Sequence, residues 1–229
     1  MKTIRTLGFL TLALAAAAPA AAQRVDAGTF KVTVQGQDVG TEEFTIEQTG
    51  SGSGSEVTAV GRVQLRLDDG TLDLAPRLLA RGMGASPVEY QVDVGGTSPR
   101  KIVGTVGGGR FSAKIVTPTG EQLREYVASS GAVVLDDGIA HHYYFLALRT
   151  HSGRIPVIIP RENRQVMATV TDRGEESTAV NGATATLFHL VVQPAGGDEH
   201  HVWVDALNRV VKVEVPARRY LAVRTQIPR

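Results

Sequence analysis

This sequence predicts a mainly β protein, a curved antiparallel sheet or half-open β-barrel with one helix packed on the concave side. Three observations carry the prediction. Apolar and polar residues alternate at period two through most of the chain. Short turn-forming clusters of Gly, Asn and Asp punctuate those runs. One segment, residues 139–150, switches instead to helical spacing.

The first run sets Phe30, Val32 and Val34 on one face and Lys31 and Thr33 on the other. Gly36-Gln37-Asp38 then turns the chain into residues 39–48, which makes an opening hairpin. The Gly/Ser tract at residues 50–55 has no side chains with which to pack and is expected to be an exposed, flexible loop. Beyond it Val63, Leu65 and Leu67 alternate with Gln64 and Arg66, and Asp68-Asp69-Gly70 turns the chain back through Leu72 and Leu74. Val88, Tyr90, Val92 and Val94 form the next run. Ile102 and Val106 lead into the Gly107-Gly108-Gly109 turn, and Phe111, Ala113 and Ile115 leave it.

In residues 139–150, Ile139, Tyr143, Leu146 and Thr150 recur at helical spacing, with Tyr144, Ala147 and Leu148 on the other side; Asp136 or Asp137 is the expected N-terminal cap. A helix apolar over most of its circumference is buried, so this one should plug the sheet. Strands resume at residues 155–159, 165–171, 184–193, 201–205 and 210–215. A meander of this kind must curl or be covered, because bare faces and edges invite aggregation.

The ends and the composition give an address. Lys2 and Arg5 precede an apolar or small stretch at residues 7–18 and the small-residue site Ala20-Ala21-Ala22, the three parts of a secretory signal. Residues 1–22 are therefore expected to be removed, leaving residues 23–229 as a single antiparallel β domain in the periplasm or secreted. The apolar stretch is short of the ~20 residues that span a bilayer, and no Cys follows for lipid attachment, so no stable membrane anchor is expected after cleavage. The whole chain carries 24 Lys and Arg against 23 Asp and Glu; loss of Lys2 and Arg5 leaves 22 against 23, which gives no electrostatic case for nucleic acid. The absence of Cys excludes disulfides and thiolate chemistry, so the fold must stand on its own core.

Part of the chain also resembles a known group. Glu175-Glu176 leads to Asn181-Gly182, followed by an apolar run at residues 184–192. His201-Val202-Trp203-Val204-Asp205 comes next, and then Val210-Val211-Lys212-Val213-Glu214-Val215-Pro216. With the earlier Val39-Gly40 step, this is similar to uncharacterised exported bacterial β proteins, a domain-of-unknown-function group. That group is similar in outline to periplasmic lipoprotein carriers, and the resemblance implies a half-open barrel, plugged by helices, that shelters acyl chains.

Such a barrel encloses a hydrophobic ligand on its inner face. The expected partner is thus a hydrophobic small molecule or lipid. Tyr90, Phe111, Tyr143, Phe145 and Trp203 are the expected ligand-binding residues, on a wall shared with Val63, Leu65 and Val92. Arg218-Arg219-Tyr220, after Pro216, has two readings: a contact for headgroups or an anionic ligand at the barrel mouth, and, the commoner meaning of such charge, a solvated edge strand that resists pairing. No complete catalytic motif is present. Gly50-Ser51-Gly52-Ser53-Gly54 lacks the strand and helix of a nucleophile elbow, and Gly107-Gly108-Gly109 lacks the helix of a phosphate cradle. No cofactor is expected, and binding is favoured over catalysis.

Two alternatives stand beside it. One is a metal-assisted hydrolase in which His142 and His201 converge with Asp136 or Asp205; adjacent His residues point apart within one element, so a site must draw on both pairs. The other is an envelope structural or assembly protein with a filled interior. Trp203 and Asp205 also have plain structural roles, a core indole bonded to a backbone carbonyl and a turn-starting carboxylate.

Overall fold

The computed structural model describes residues 22–228; the expected signal, residues 1–22, lies outside that range except for Ala22. Alternation makes the strands and paired turn residues join them. β1 (Gln23–Val34), β2 (Gln37–Thr49), β3 (Glu56–Leu67), β4 (Gly70–Arg81), β5 (Ser86–Gly96), β6 (Arg100–Gly107), β7 (Arg110–Thr117) and β8 (Gly120–Val127) form one antiparallel meander. The short β9 (Val133–Val134) pairs in parallel with β10 (Gly153–Ile159). β11 (Arg164–Val180), β12 (Ala183–Pro194), β13 (His200–Val204), β14 (Val210–Val215) and β15 (Tyr220–Arg224) continue antiparallel from β10. Gln35-Gly36, Gly108-Gly109 and Asn181-Gly182 occupy two-residue hairpin turns with positive φ at both positions, which matches the right-handed twist of the flanking strands.

β1 pairs with β15, so the two halves of the chain form one sheet of fifteen strands whose opposite edges are β8 and β9. Those edge strands are consecutive in sequence, and this forces the curvature. Laid flat at ~4.8 Å per strand, the sheet would hold its edges roughly 65 Å apart. The short link between Val127 and Val133 spans at most roughly 20 Å. The sheet must therefore roll up. It does so with overlap rather than closure: β9 lies against β5, the 3-10 turn Pro160–Glu162 lies against β6, and β8 approaches β11. Ser129 ties the crossing down, its N–H donating to Gln165 Oε1 at 2.7 Å and its Oγ accepting from Gln165 Nε2 at 2.8 Å.

A buried side chain holds the seam between the halves. Arg224 on β15 donates from Nε to the Val210 carbonyl at 2.7 Å, from one terminal nitrogen to the Ala27 carbonyl at 3.0 Å, and from the other to Asp26. Its guanidinium carbon lies 4.6 Å from the centre of the Phe44 ring. The planar fork fits only because Gly28 has no side chain, since a Cβ there would come within 2.5 Å of the guanidinium.

The helix is shorter than the sequence spacing predicts. Ala140–His142 is a 3-10 turn and only Tyr143–Arg149, here α1, is α-helical. Neither Asp136 nor Asp137 caps it. Glu42 of β2 takes that role, accepting from the Ala140 and His141 N–H groups at 2.7 and 2.9 Å. From Ala132 to Ala147 every residue except Asp137 and Gly138 is buried, so the crossing segment and α1 together fill the rolled sheet, the plug predicted from sequence. Two strands stand where the sequence reading placed none, β8 and β9, and β15, read from sequence as a solvated charged edge, lies instead inside the sheet between β1 and β14. β8 is an exposed edge with few apolar residues, and β9 has only two residues. The Gly/Ser tract contains a 3-10 turn at Gly52–Gly54 and ends on the buried Ser55.

Candidate ligand pocket

A cavity of about 210 Å³ opens at one end of the roll, between the sheet and the start of the plug. Val34, Leu65, Leu72, Ile139, Val213 and Val215 give it an apolar wall. Strand register explains that wall. Tyr220 sits opposite Val34 on one neighbour and Val215 on the other, so all three project to the same face. Tyr143 and His200 also line the cavity, with the Tyr143 hydroxyl bonded to His200 Nδ1. Burial lowers the His200 pKa and raises that of Tyr143, so both are neutral at pH 7.

Charges ring the mouth, but they answer one another. Arg218 donates to Asp137 Oδ1 at 2.7 Å and to Asp198 Oδ2 at 2.5 Å, bridging the loop before α1 to the turn before β13. Arg161 donates to Asp136 Oδ2 at 3.0 Å and to the Asp137 carbonyl. Asp136 also accepts from the Tyr90 hydroxyl at 2.6 Å and from the Asp137 N–H at 3.2 Å, while burial pushes its carboxyl upward against the pull of Arg161. Arg218 is therefore at the mouth, where the sequence suggested a headgroup contact, with its charge already shared between two carboxylates.

Behind the cavity lies a buried polar layer. Glu42 accepts a third bond at 2.7 Å from His141 Nδ1, and the His141 ring stacks on Phe44 with centroids 5.2 Å apart. That ring lies over Gly61, where a Cβ would come within 2.7 Å of Cε1. His142 accepts the Asp136 N–H on Nδ1 at 3.2 Å, which places its own proton on Nε2; burial and the neighbouring His141 hold it neutral by lowering its pKa.

The structure sorts the residues expected from sequence. Tyr143 lines the cavity, and so does Leu65. Tyr90, Phe111 and Phe145 are buried in the core instead: Tyr90 on Asp136, Phe111 stacked on Tyr126, and Phe145 edge-on to Tyr144. Trp203 is on the opposite face. Val202 and Val204 join the main core, so period-two alternation sends the residue between them outward, into a separate cluster with Val180, Leu187 and Val211. There it stacks on His189 at 4.4 Å, lies under the Lys212 ammonium, and donates its indole N–H to the Glu176 carboxylate rather than to a backbone carbonyl.

The metal constellation does not assemble. His142 is inside the roll, edge-on to Tyr90, whereas His201 is outside with His189, Glu199 and Trp203. Asp205 organises its own turn, accepting from the Leu207 and Arg209 N–H groups at 2.9 Å. Among the described residues no group of three His, Cys, Asp or Glu could hold a metal ion. Sequence reasoning passed over Glu42, Arg161 and the lining role of His200. The sequence signal for His200 was weak: it is one of an adjacent pair whose members face opposite sides.

Fold and cavity together define a β-barrel-like protein made from one rolled antiparallel sheet with an internal plug. No protein-family model and no curated protein matches the chain. Among solved structures it is similar to a β-barrel-like protein of a domain of unknown function, DUF1849, from Brucella abortus. The TM-score is 0.55 over 86% of this chain and 94% of that one, at 9% sequence identity. At that identity the likeness concerns the fold alone, and it sets the chain beside an uncharacterised β protein.

Proposed function

We propose that the protein is a binding or carrier-type protein, acting in the periplasm or after secretion, for an apolar or amphipathic molecule such as a lipid. The observation that carries this reading is the apolar cavity at the open end of the roll, in a fold whose remaining interior is filled by its own plug. Concave apolar sites with a few placed polar groups are where small ligands bind. The outline similarity to half-open barrel carriers noted from sequence agrees with it. The dispersal of His142, His201 and Asp205 to separate surroundings favours binding over metal-assisted hydrolysis.

The test is displacement of the neutral fluorophore N-phenyl-1-naphthylamine from purified protein, alongside mass spectrometry of organic extracts. Saturable binding should be abolished by Val34→Trp, which fills the cavity from a partly exposed wall position. Binding that survives this substitution, or no binding and no copurifying lipid, would reject the role.

A further inference from the structure

We infer that His189 and His201, on the outer face of the sheet, form a proton-responsive latch: one shared proton completes a chain of hydrogen bonds from Glu199 to Glu176, and a second proton breaks it. His189 stands opposite Trp203 in register and His201 lies two residues before it, so all three side chains share that face. His201 Nε2 is 3.0 Å from Glu199 Oε1, His201 Nδ1 is 2.9 Å from His189 Nε2, and His189 Nδ1 is 3.3 Å from Glu176 Oε2. With ring centroids 5.1 Å apart, the two imidazoles meet end to end along the N···N line. Ionised carboxylates only accept, so each end of the chain needs an N–H, and the N···N contact needs one more. Two neutral rings carry two protons and leave one link empty. Two imidazolium rings carry four, and two N–H groups then face each other across 2.9 Å. Only a single shared charge fills all three links.

The surroundings decide where that charge sits. Glu176 Oε1 is taken by the Trp203 indole N–H and the Thr178 hydroxyl, which leaves Oε2 for His189. Burial lowers the His189 pKa; Glu176 pulls it back, while His201 and Arg173 oppose a charge there. His189 is thus the neutral partner, and His201 beside Glu199 carries the shared proton and donates through Nδ1. From β14, Glu214 stands opposite His201 in register and is paired at 3.0 Å with Lys212, whose ammonium lies over Trp203. His200, on the inner side of β13, is kept neutral first by burial and then by Arg218 and His201, so it does not compete for the proton. The sign follows from the lowered His189 pKa. Below about 6.5 the unfolded chain takes up a proton that native His189 resists, so the latch contributes fully above that pH and is lost as pH falls through the native value.

Imidazole nitrogen chemical shifts, followed by NMR from pH 8.5 to 4.5, read the tautomer and charge of each ring. Two protonation steps separated by more than about one pH unit are expected, the first leaving His189 neutral with its proton on Nδ1. Scalar coupling between the facing nitrogens should be present after the first step and absent after the second. Trp203, the only tryptophan in the chain, stacks on His189 with centroids 4.4 Å apart, so its emission should change with the second step. His201→Gln removes the neighbouring charge and should move the His189 step to higher pH, with the Trp203 change following it. Two rings that titrate together, or a coupling that survives the second step, would overturn the inference on the unsubstituted protein, whether or not the variant folds. So would a His189 titration indifferent to His201→Gln in a folded variant.

Discussion

Replacing Glu42 by Ala should be among the most damaging single changes in the molecule. The carboxylate is fully buried and accepts from the Ala140 N–H, the His141 N–H and His141 Nδ1. Truncation strands two backbone donors and one ring donor where water does not reach. Each buried donor left unpaired costs about 1–3 kcal/mol. Relief of the carboxylate's own desolvation offsets part of that. A net loss of about 3–6 kcal/mol is expected, a large fraction of the ~5–15 kcal/mol that holds a typical domain together. Glu42→Gln keeps one acceptor oxygen and should lose about half as much. Urea unfolding followed by far-UV circular dichroism measures both, and Trp203, the only tryptophan in the chain, supplies a second probe from the opposite face. Amide exchange at Ala140 and His141 locates the effect. A loss below about 1 kcal/mol in Glu42→Ala, with those amides still protected, would refute the capping role.

The seam gives a second prediction. Arg224→Met leaves Asp26 buried and unpaired and should cost about 3–5 kcal/mol in the same assay, whereas adding Asp26→Leu should recover much of it; equal losses in the single and double variants would count against a pair. Gly61→Ala should lower stability by about 1–3 kcal/mol, because the new methyl meets a His141 ring already fixed by Glu42 and Phe44; an unchanged melting temperature would show that the ring can yield. His200 supplies a pH signature. Its native pKa is lowered, so as pH falls below about 6.5 the unfolded chain takes up a proton that the native state refuses, and stability drops by up to about 1.4 kcal/mol per pH unit. His200→Gln should be correspondingly less sensitive to pH between 7 and 5, and parallel stability curves would exclude the contribution.

Much of the fold was legible because a strand advertises itself through alternation. The hairpins around Asp68-Asp69-Gly70 and Gly107-Gly108-Gly109 carry both the apolar rhythm and the turn chemistry, and both form. β8 escaped because an exposed edge strand has no need of an apolar face: of its residues only Tyr126 is even partly buried. β15 reads from sequence as a solvated edge because its inward positions include Arg224, a surface charge until its three acceptors and two flanking aromatic rings are seen. The pocket was harder still. Tyr143 was legible as part of an apolar helix, but Tyr220 gains its meaning from a pairing with Val34 across nearly the whole chain, and no local pattern contains that. Trp203 shows the opposite error. Its size suggested an inner wall, while the alternation of Val202 and Val204 on either side already pointed it outward.

The polar groups inside the roll follow from the way the sheet is closed. After the edge strand β9 the chain turns into the interior to reach α1, and residues 135–142 make that passage without a regular helix or strand long enough to satisfy their own backbone groups. Irregular backbone in a dry interior needs side-chain partners. Glu42 answers the N–H groups of Ala140 and His141, His142 answers that of Asp136, and Asp136 in turn accepts from the N–H groups of Asp137 and Arg161. This cluster of two carboxylates and two imidazoles has the composition of an active site, yet each carboxylate oxygen and each Nδ1 is spent on holding the plug. What is left to meet a ligand is the cavity wall itself, where Val34, Leu65, Leu72, Val213 and Val215 supply apolar contact rather than reactive groups.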